Sequence, residues 1–286
     1  MRFAKNVGVW LICLSFFLAG VQPGATDTAV VQPGSTDTTV ERPATTATTV
    51  VQPSATGATV VQPSATGTAV VQPSATGTAT DTDVTCPLCH TSFKAHTDYS
   101  SSRLGMRLDL KPLGTTAAPW IIPKCPNCHF IVYDQDLIDT DQELLLKFVN
   151  SLEYQDIVPD NSTYFLLARL QEALGMDTYE IAHTYLKASW QVDTDRAKCG
   201  KYLEASLAKF QAYLASDKII PHQYVMAEMV SGEIERRLGK FEQALSRFSR
   251  LQKSSEFSGS STVMSIIDYQ LELIGAKDSD PHDIKM

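Results

Sequence analysis

From Asp139 onward, apolar residues recur at helical spacing between short polar breaks, and the breaks carry helix-start and helix-stop residues. Thr140 and Glu143 form a capping-box pattern ahead of LLLKFV. Asn161 or Ser162 precedes STYFLLARLQEALG, which stops at Gly175, where a glycine can take the left-handed turn. Asp177 and Glu180 open EIAHTYLKASW, and Asp193 to Asp195 open the run ending in YLEASLAKFQAYL. Pro221 starts YVMAEMVSGEIERRLG, then KFEQALSRFSRLQ and STVMSIIDYQLEL follow. This pattern predicts around seven helices with short links, hence antiparallel hairpins over residues 136–275, followed by a polar tail at 276–286.

Upstream, over residues 81–135, the pattern changes. RLGMRLDL (103–110) alternates as a strand does, and PWIIPKCP leads into a turn. Here lie CPLCH (86–90) and CPNCH (125–129), two CxxC pairs 35 residues apart. A two-residue gap lets both sulfurs of one tight turn face one ion, and two such turns complete a tetrahedron. Pro87 and Pro126 pre-set the backbone angle within each turn. Cys86, Cys89, Cys125 and Cys128 are therefore candidate ligands of a structural zinc ion (Zn2+), with Phe93, Phe130, Ile131 and Val132 supplying a miniature core. Two other chemistries fit the same letters. CxxCH is also the attachment signature of haem c, with His90 and His129 as axial ligands and Met106 or His96 as distal ones. Disulfides within or across the pairs are the third option. The segment between the pairs is small and polar, which suits an ion better than two porphyrins. With four thiolates a zinc ion has no open position, so it would be a folding device, leaving His90 and His129 spare. Cys199 stands by itself at a helix start and reads as an inert thiol.

The first 80 residues show neither period. Arg2 and Lys5 precede an apolar run from Val7 to Ala19, the pattern of a secretory signal peptide over 1–20, or of an uncleaved anchor. Residues 20 to 79 are six ten-residue repeats of the type VVQPSATGTA, and the low-complexity linker they make spans 21–80. A proline in every unit and no aromatic residue leave too little apolar surface to offset ordering. The expectation is a disordered, Thr- and Ser-rich stalk, with a root-mean-square span of about 45 Å if flexible. The chain is thus expected in the periplasm, cell envelope or outside the cell, touching a membrane only through an uncleaved N-terminal segment.

Charge narrows the partners. Acidic and basic residues balance over the first 80 positions, so the net charge of −8 belongs to the remainder. An acidic, exported domain is a poor nucleic-acid binder, because phosphates must be met by Lys and Arg. Arg236, Arg237, Lys240, Arg247, Arg250 and Lys253 form a locally basic hairpin that could receive an acidic segment. Catalytic signatures such as GxSxG, HExxH or a phosphate-cradling glycine loop do not occur, and His183 one turn after Glu180 reads as a local polar pair.

Two hairpins repeat a theme. Leu238-Gly239 is followed by Phe241, Ala244 and Phe248, and Leu174-Gly175 by Tyr179, Ala182 and Tyr185. This resembles the tetratricopeptide repeat, whose small residues let paired helices approach while aromatics fill the space between them, and whose stacks expose a partner-binding groove. The order of parts, CPxC, a strand-like segment, a second CPxC, then YLKASW (185–190) and these hairpins, resembles the bacterial family catalogued as domain of unknown function 2225, over roughly residues 84 to 255. The resemblance implies zinc at Cys86, Cys89, Cys125 and Cys128. Three departures stand out: His replaces the common Gly after each second cysteine, only Arg107-Leu108-Asp109 remains of an Arg-Asp-x-Asp run, and a signal with a stalk is added. The expectation is a mainly α chain, with a small β zinc-ribbon-like module followed by a tetratricopeptide-like array. Its expected role is a non-enzymatic scaffold for a protein or peptide partner; the alternative is a dihaem electron-transfer protein.

Overall fold

The computed structural model describes residues 80–97, 103–114, 118–254 and 260–285. The expected signal segment and the repeat stalk lie outside the described residues. Two short antiparallel pairs come first. β1 (Thr80–Thr85) pairs with β2 (Ser92–Thr97), with Val84 opposite Phe93 and the first CxxC turn at its tip. β3 (Arg103–Met106) pairs with β4 (Pro112–Gly114). The strand expected over 103–110 therefore ends early. Leu110 takes a positive φ of 66°, and the Leu110 N–H donates to the Arg107 carbonyl. Arg107 and Asp109 leave the pleat for a buried ionic cluster described below.

Eight helices follow among the described residues: α1 (Asp139–Val149), α2 (Leu152–Ile157), α3 (Thr163–Ala173), α4 (Thr178–Gln191), α5 (Arg196–Leu214), α6 (Pro221–Arg237), α7 (Phe241–Gln252) and α8 (Ser261–Gly275). Several starts fall where the sequence puts them. The Ser162, Asp177, Asp195 and Ser260 side chains each accept a backbone N–H of their own first turn, and Pro221 occupies the first turn of α6. The box at Thr140 does not form. Helix α1 begins at Asp139, and its N-cap position, Ile138, carries no side-chain cap. The preceding Leu137 packs against the core, which sets the entry of the chain. Helix α2 is an addition; six residues capped by Ser151 are too short to show a period.

From α3 to α8 each helix packs against its neighbours in sequence. Among the described residues, the three largest apolar clusters run along this order. The first joins Cys86, Leu88, Cys125, Cys128, Phe130, Ile131 and Val132 to Leu145, Val149, Tyr154, Leu166 and Leu170, so the CxxC turns and α1 to α3 share one core. The second lies among α4, α5 and α6, around Leu186, Leu207, Phe210 and Ile234. The third, around Ala244, Phe248, Ile267 and Ile274, joins α7 to α8. Gly232 of α6 lies directly beneath the Phe248 ring: a Cβ there would sit 2.5 Å from it.

The polar tail is docked. The Leu108 N–H donates to the His282 carbonyl at 2.9 Å, and the Ile284 N–H to the Met106 carbonyl at 2.8 Å, so the tail runs beside β3. Among the described residues no helix is long and apolar enough to cross a membrane.

Candidate metal centre

The two CxxC turns are built alike. In the first, the Cys86 N–H donates to the Thr91 carbonyl and the His90 N–H to the Cys86 carbonyl, both at 2.9 Å. In the second, the Cys125 N–H donates to the Phe130 carbonyl at 2.8 Å and the His129 N–H to the Cys125 carbonyl at 3.1 Å. Each turn closes on a residue with positive φ, 57° at His90 and 61° at His129. A left-handed residue here is what turns the chain so that both sulfurs of a pair point the same way. Glycine takes that conformation without cost, and histidine is among the residues that tolerate it. The two histidines thus stand where the backbone asks for a glycine.

The turns face each other, and all four sulfurs lie within 4.8 Å of one another. Cys86 Sγ is 3.6 Å from Cys128 Sγ, and Cys89 Sγ is 3.5 Å from Cys125 Sγ. An ion holding four thiolates at about 2.3 Å in a tetrahedron separates them by roughly 3.8 Å. The group therefore fits one metal ion, and the five described cysteines are all free thiols. Both of these contacts join the two turns. In a dihaem arrangement the sulfurs of one CxxC would serve one porphyrin and stand clear of the other pair.

Burial closes the centre on one side. Cys86 and Cys125 are fully buried and Cys128 nearly so, whereas Cys89 is only partly covered. Burial pushes the Cys86 and Cys128 thiols up, so their charged forms need a cation. For Cys89 burial acts in the same direction, but hydrogen bonds from the Thr91 hydroxyl and backbone outweigh it, helped by Asn127 and Cys125, and bring the thiol down to about 5. Cys89 stands ready as a thiolate, whereas Cys86 and Cys128 require a cation beside them. The second turn is also bolted to the helices. Tyr154 of α2 donates its hydroxyl to the His129 carbonyl at 3.0 Å, and His129 Nδ1 lies 3.1 Å from Gln155 Oε1. His90 is exposed.

A second polar cluster was not legible beforehand, apart from Arg107-Leu108-Asp109. Arg107 grips the Asp109 carboxylate through Nε (3.0 Å) and Nη2 (2.5 Å), and reaches Asp193 with Nη1 at 2.7 Å. Arg237 at the end of α6 meets Asp109 at 2.6 Å, and Lys111 meets Asp193 at 2.6 Å. Asp109 is 1% exposed. Cys199 lies against this cluster, its Sγ 3.6 Å from Arg237 Nη2; burial raises its thiol, which suits the inert role expected of it.

The basic hairpin is not a free cationic face. Arg236 is fully buried, holding Glu233 and the carbonyls of Asp278 and Asp280. Arg247 pairs with Glu228 and Glu235, and Arg250 with Glu228. His183 does not pair with Glu180: its ring packs edge-on against Tyr179 (4.6 Å) and Phe210 (5.0 Å), and burial, with Lys187 nearby, lowers it to about 3. It stays neutral, a packing residue. Met106 and His96, the distal ligands of the haem reading, sit on β3 and β2, and His96 Nδ1 lies 3.2 Å from Asp81.

Compared with known proteins, the chain matches no family model, no curated protein and no solved structure.

Proposed function

We propose that this chain is a non-enzymatic scaffold in which Cys86, Cys89, Cys125 and Cys128 hold one structural zinc ion and the helices that follow receive a protein or peptide partner. The observation that carries the reading is the convergence of four thiols from two separate turns on one point. Four thiolates fill a tetrahedral ion's coordination, so the ion folds the module and has no site for a substrate. Their shared core with α1 to α3 makes metal binding part of the folding of the first helices.

The helical part supports a tetratricopeptide-like array. Each of α4 to α8 packs on its sequence neighbours, Gly232 admits the Phe248 ring, Ala244 is fully buried, and Gly239, with φ 71°, makes the turn between α6 and α7. Because the hairpin arginines are committed internally, an acidic partner segment is not favoured over a neutral one. Histidine at a left-handed position serves where the resembled family has glycine, so that departure is conformational and consistent with zinc. Export on a stalk follows from the N-terminal sequence.

The test is the metal content and spectrum of the full-length protein, purified reduced. One equivalent of zinc per chain, and thiolate-to-cobalt charge-transfer bands after cobalt exchange, are expected. Stoichiometric zinc missing from the chain, or a Soret band with haem that survives denaturing electrophoresis, overturns the reading.

A further inference from the structure

The thiol cluster is asymmetric in a way that a purely structural centre does not need. Three sulfurs are buried, and the fourth, Cys89, is reachable from solvent. On the opposite turn the Cys125 sulfur lies 3.5 Å away and is fully buried. The remaining pair, Cys86 and Cys128, is likewise preset across the turns at 3.6 Å.

Resting on the metal reading above, we propose that the centre is a reversible thiol switch, in which a disulfide oxidant enters at Cys89, Cys125 resolves it, and the metal is released. In the first step the Cys89 thiolate attacks one sulfur of an oxidant RSSR, forming the mixed disulfide and expelling one thiolate, RS−. In the second, the Cys125 thiolate attacks the Cys89 sulfur, forming the Cys89–Cys125 disulfide and expelling the second RS−. Two electrons pass from the two cysteine sulfurs to the oxidant, which leaves as two thiolates. Two remaining sulfurs hold an ion far less tightly than four, and Cys86 and Cys128 can close by the same sequence with a second oxidant molecule.

The geometry has a structural consequence. Both links cross between the turns, so the oxidised module keeps the two hairpin tips joined at the point where the ion held them. Links within each CxxC would leave the turns unconnected and open the core shared with α1 and α3. The crossed pattern therefore releases metal while retaining the fold, and reduction with metal present restores the starting state. Cys199 takes no part, because it lies in the Arg107–Asp109–Arg237 cluster and 5% exposed.

The experiment uses the full-length reduced protein, loaded with zinc and exposed to oxidised glutathione. Zinc release is followed with a chromogenic chelator, and disulfides are mapped by mass spectrometry of non-reduced digests. Expected is a Cys89–Cys125 link appearing together with zinc release, a Cys86–Cys128 link afterwards, and full zinc rebinding on reduction. A Cys125→Ser variant should accumulate glutathione on Cys89, whereas Cys199→Ser should release zinc at the parent rate. Links Cys86–Cys89 and Cys125–Cys128, first glutathionylation at another cysteine, or zinc retained without oxidation would each overturn the switch. A reduced protein without zinc would sink the metal reading, and the disulfide map would still decide the pairing.

Discussion

At the scale of single residues, His90 and His129 change meaning most. In the sequence they complete two haem signatures; in the structure each is the left-handed residue that closes a turn, with φ of 57° and 61°. On the proposed zinc reading, replacing both by glycine should leave one equivalent of the ion bound, measured by metal analysis, because neither imidazole is needed for four-sulfur ligation. A haem protein would lose its axial ligands instead. His90→Gly should be neutral or stabilising by up to about 1 kcal/mol in denaturant unfolding, since relief of left-handed strain is offset by the freer unfolded chain. His129→Gly should be the poorer of the two, because it also gives up the contact with Gln155.

Glu233 carries a pH dependence. Burial pushes its carboxyl up to about 7 against the pull of Arg236. The native chain then binds more protons than the unfolded chain between the ordinary glutamate value of 4.5 and about 7. Stability therefore falls as pH rises through that window. Asp193 works the other way: burial alone would raise it, but hydrogen bonds from Lys111 and Arg107 win, so its contribution is lost as pH falls below 3.8. Urea unfolding at several pH values should show both slopes, and Glu233→Gln should flatten the upper one.

At the scale of elements, the α6–α7 hairpin is set by a close approach. A Cβ at position 232 would lie 2.5 Å from the Phe248 ring, which is itself fully buried. Gly232→Ala should destabilise by about 1–3 kcal/mol, the usual cost of overpacking, and by more than a helix-propensity gain of under about 1 kcal/mol restores. Phe248→Leu in that background should recover part of the loss in denaturant titration. This close approach was legible only as a theme of small and aromatic residues, since Gly232 in a helix reads by itself as a weak point. The caps at Ser162, Asp177 and Asp195 were legible because they are local, each satisfied within its own turn. The box at Thr140 failed for the opposite reason: the packing of Leu137 on a core made by distant residues fixed where α1 begins.

At the scale of the whole described molecule, two devices join the cysteine-bearing hairpins to the helices. One is the core shared by the CxxC turns with α1, α2 and α3. On the proposed zinc reading, removal of the ion by a chelator should raise amide exchange across residues 84–93, 122–133 and 145–170 well before α7 and α8, whose separate cluster contains no cysteine. The other is the ionic cluster around Asp109, which ties the turn after β3 to the ends of α4 and α6. Asp109→Ala leaves Arg107 and Arg237 buried beside an empty place and should cost about 3–5 kcal/mol, read from the unfolding midpoint. The docked tail adds to the same corner, for Arg236 holds the carbonyls of Asp278 and Asp280.

The sequence by itself determined the mainly helical class, most helix starts, and the four cysteines as a set, because each depends on spacing within a few residues. Only the tertiary structure decided that the two CxxC pairs meet sulfur to sulfur, that Arg107 and Asp109 leave their strand, and that Arg236, Arg237 and Arg247 turn inward. It also placed the polar tail along β3. Most of these join residues from different elements, and the free energy that selects them comes from burial and charge pairing across elements, which no local pattern records.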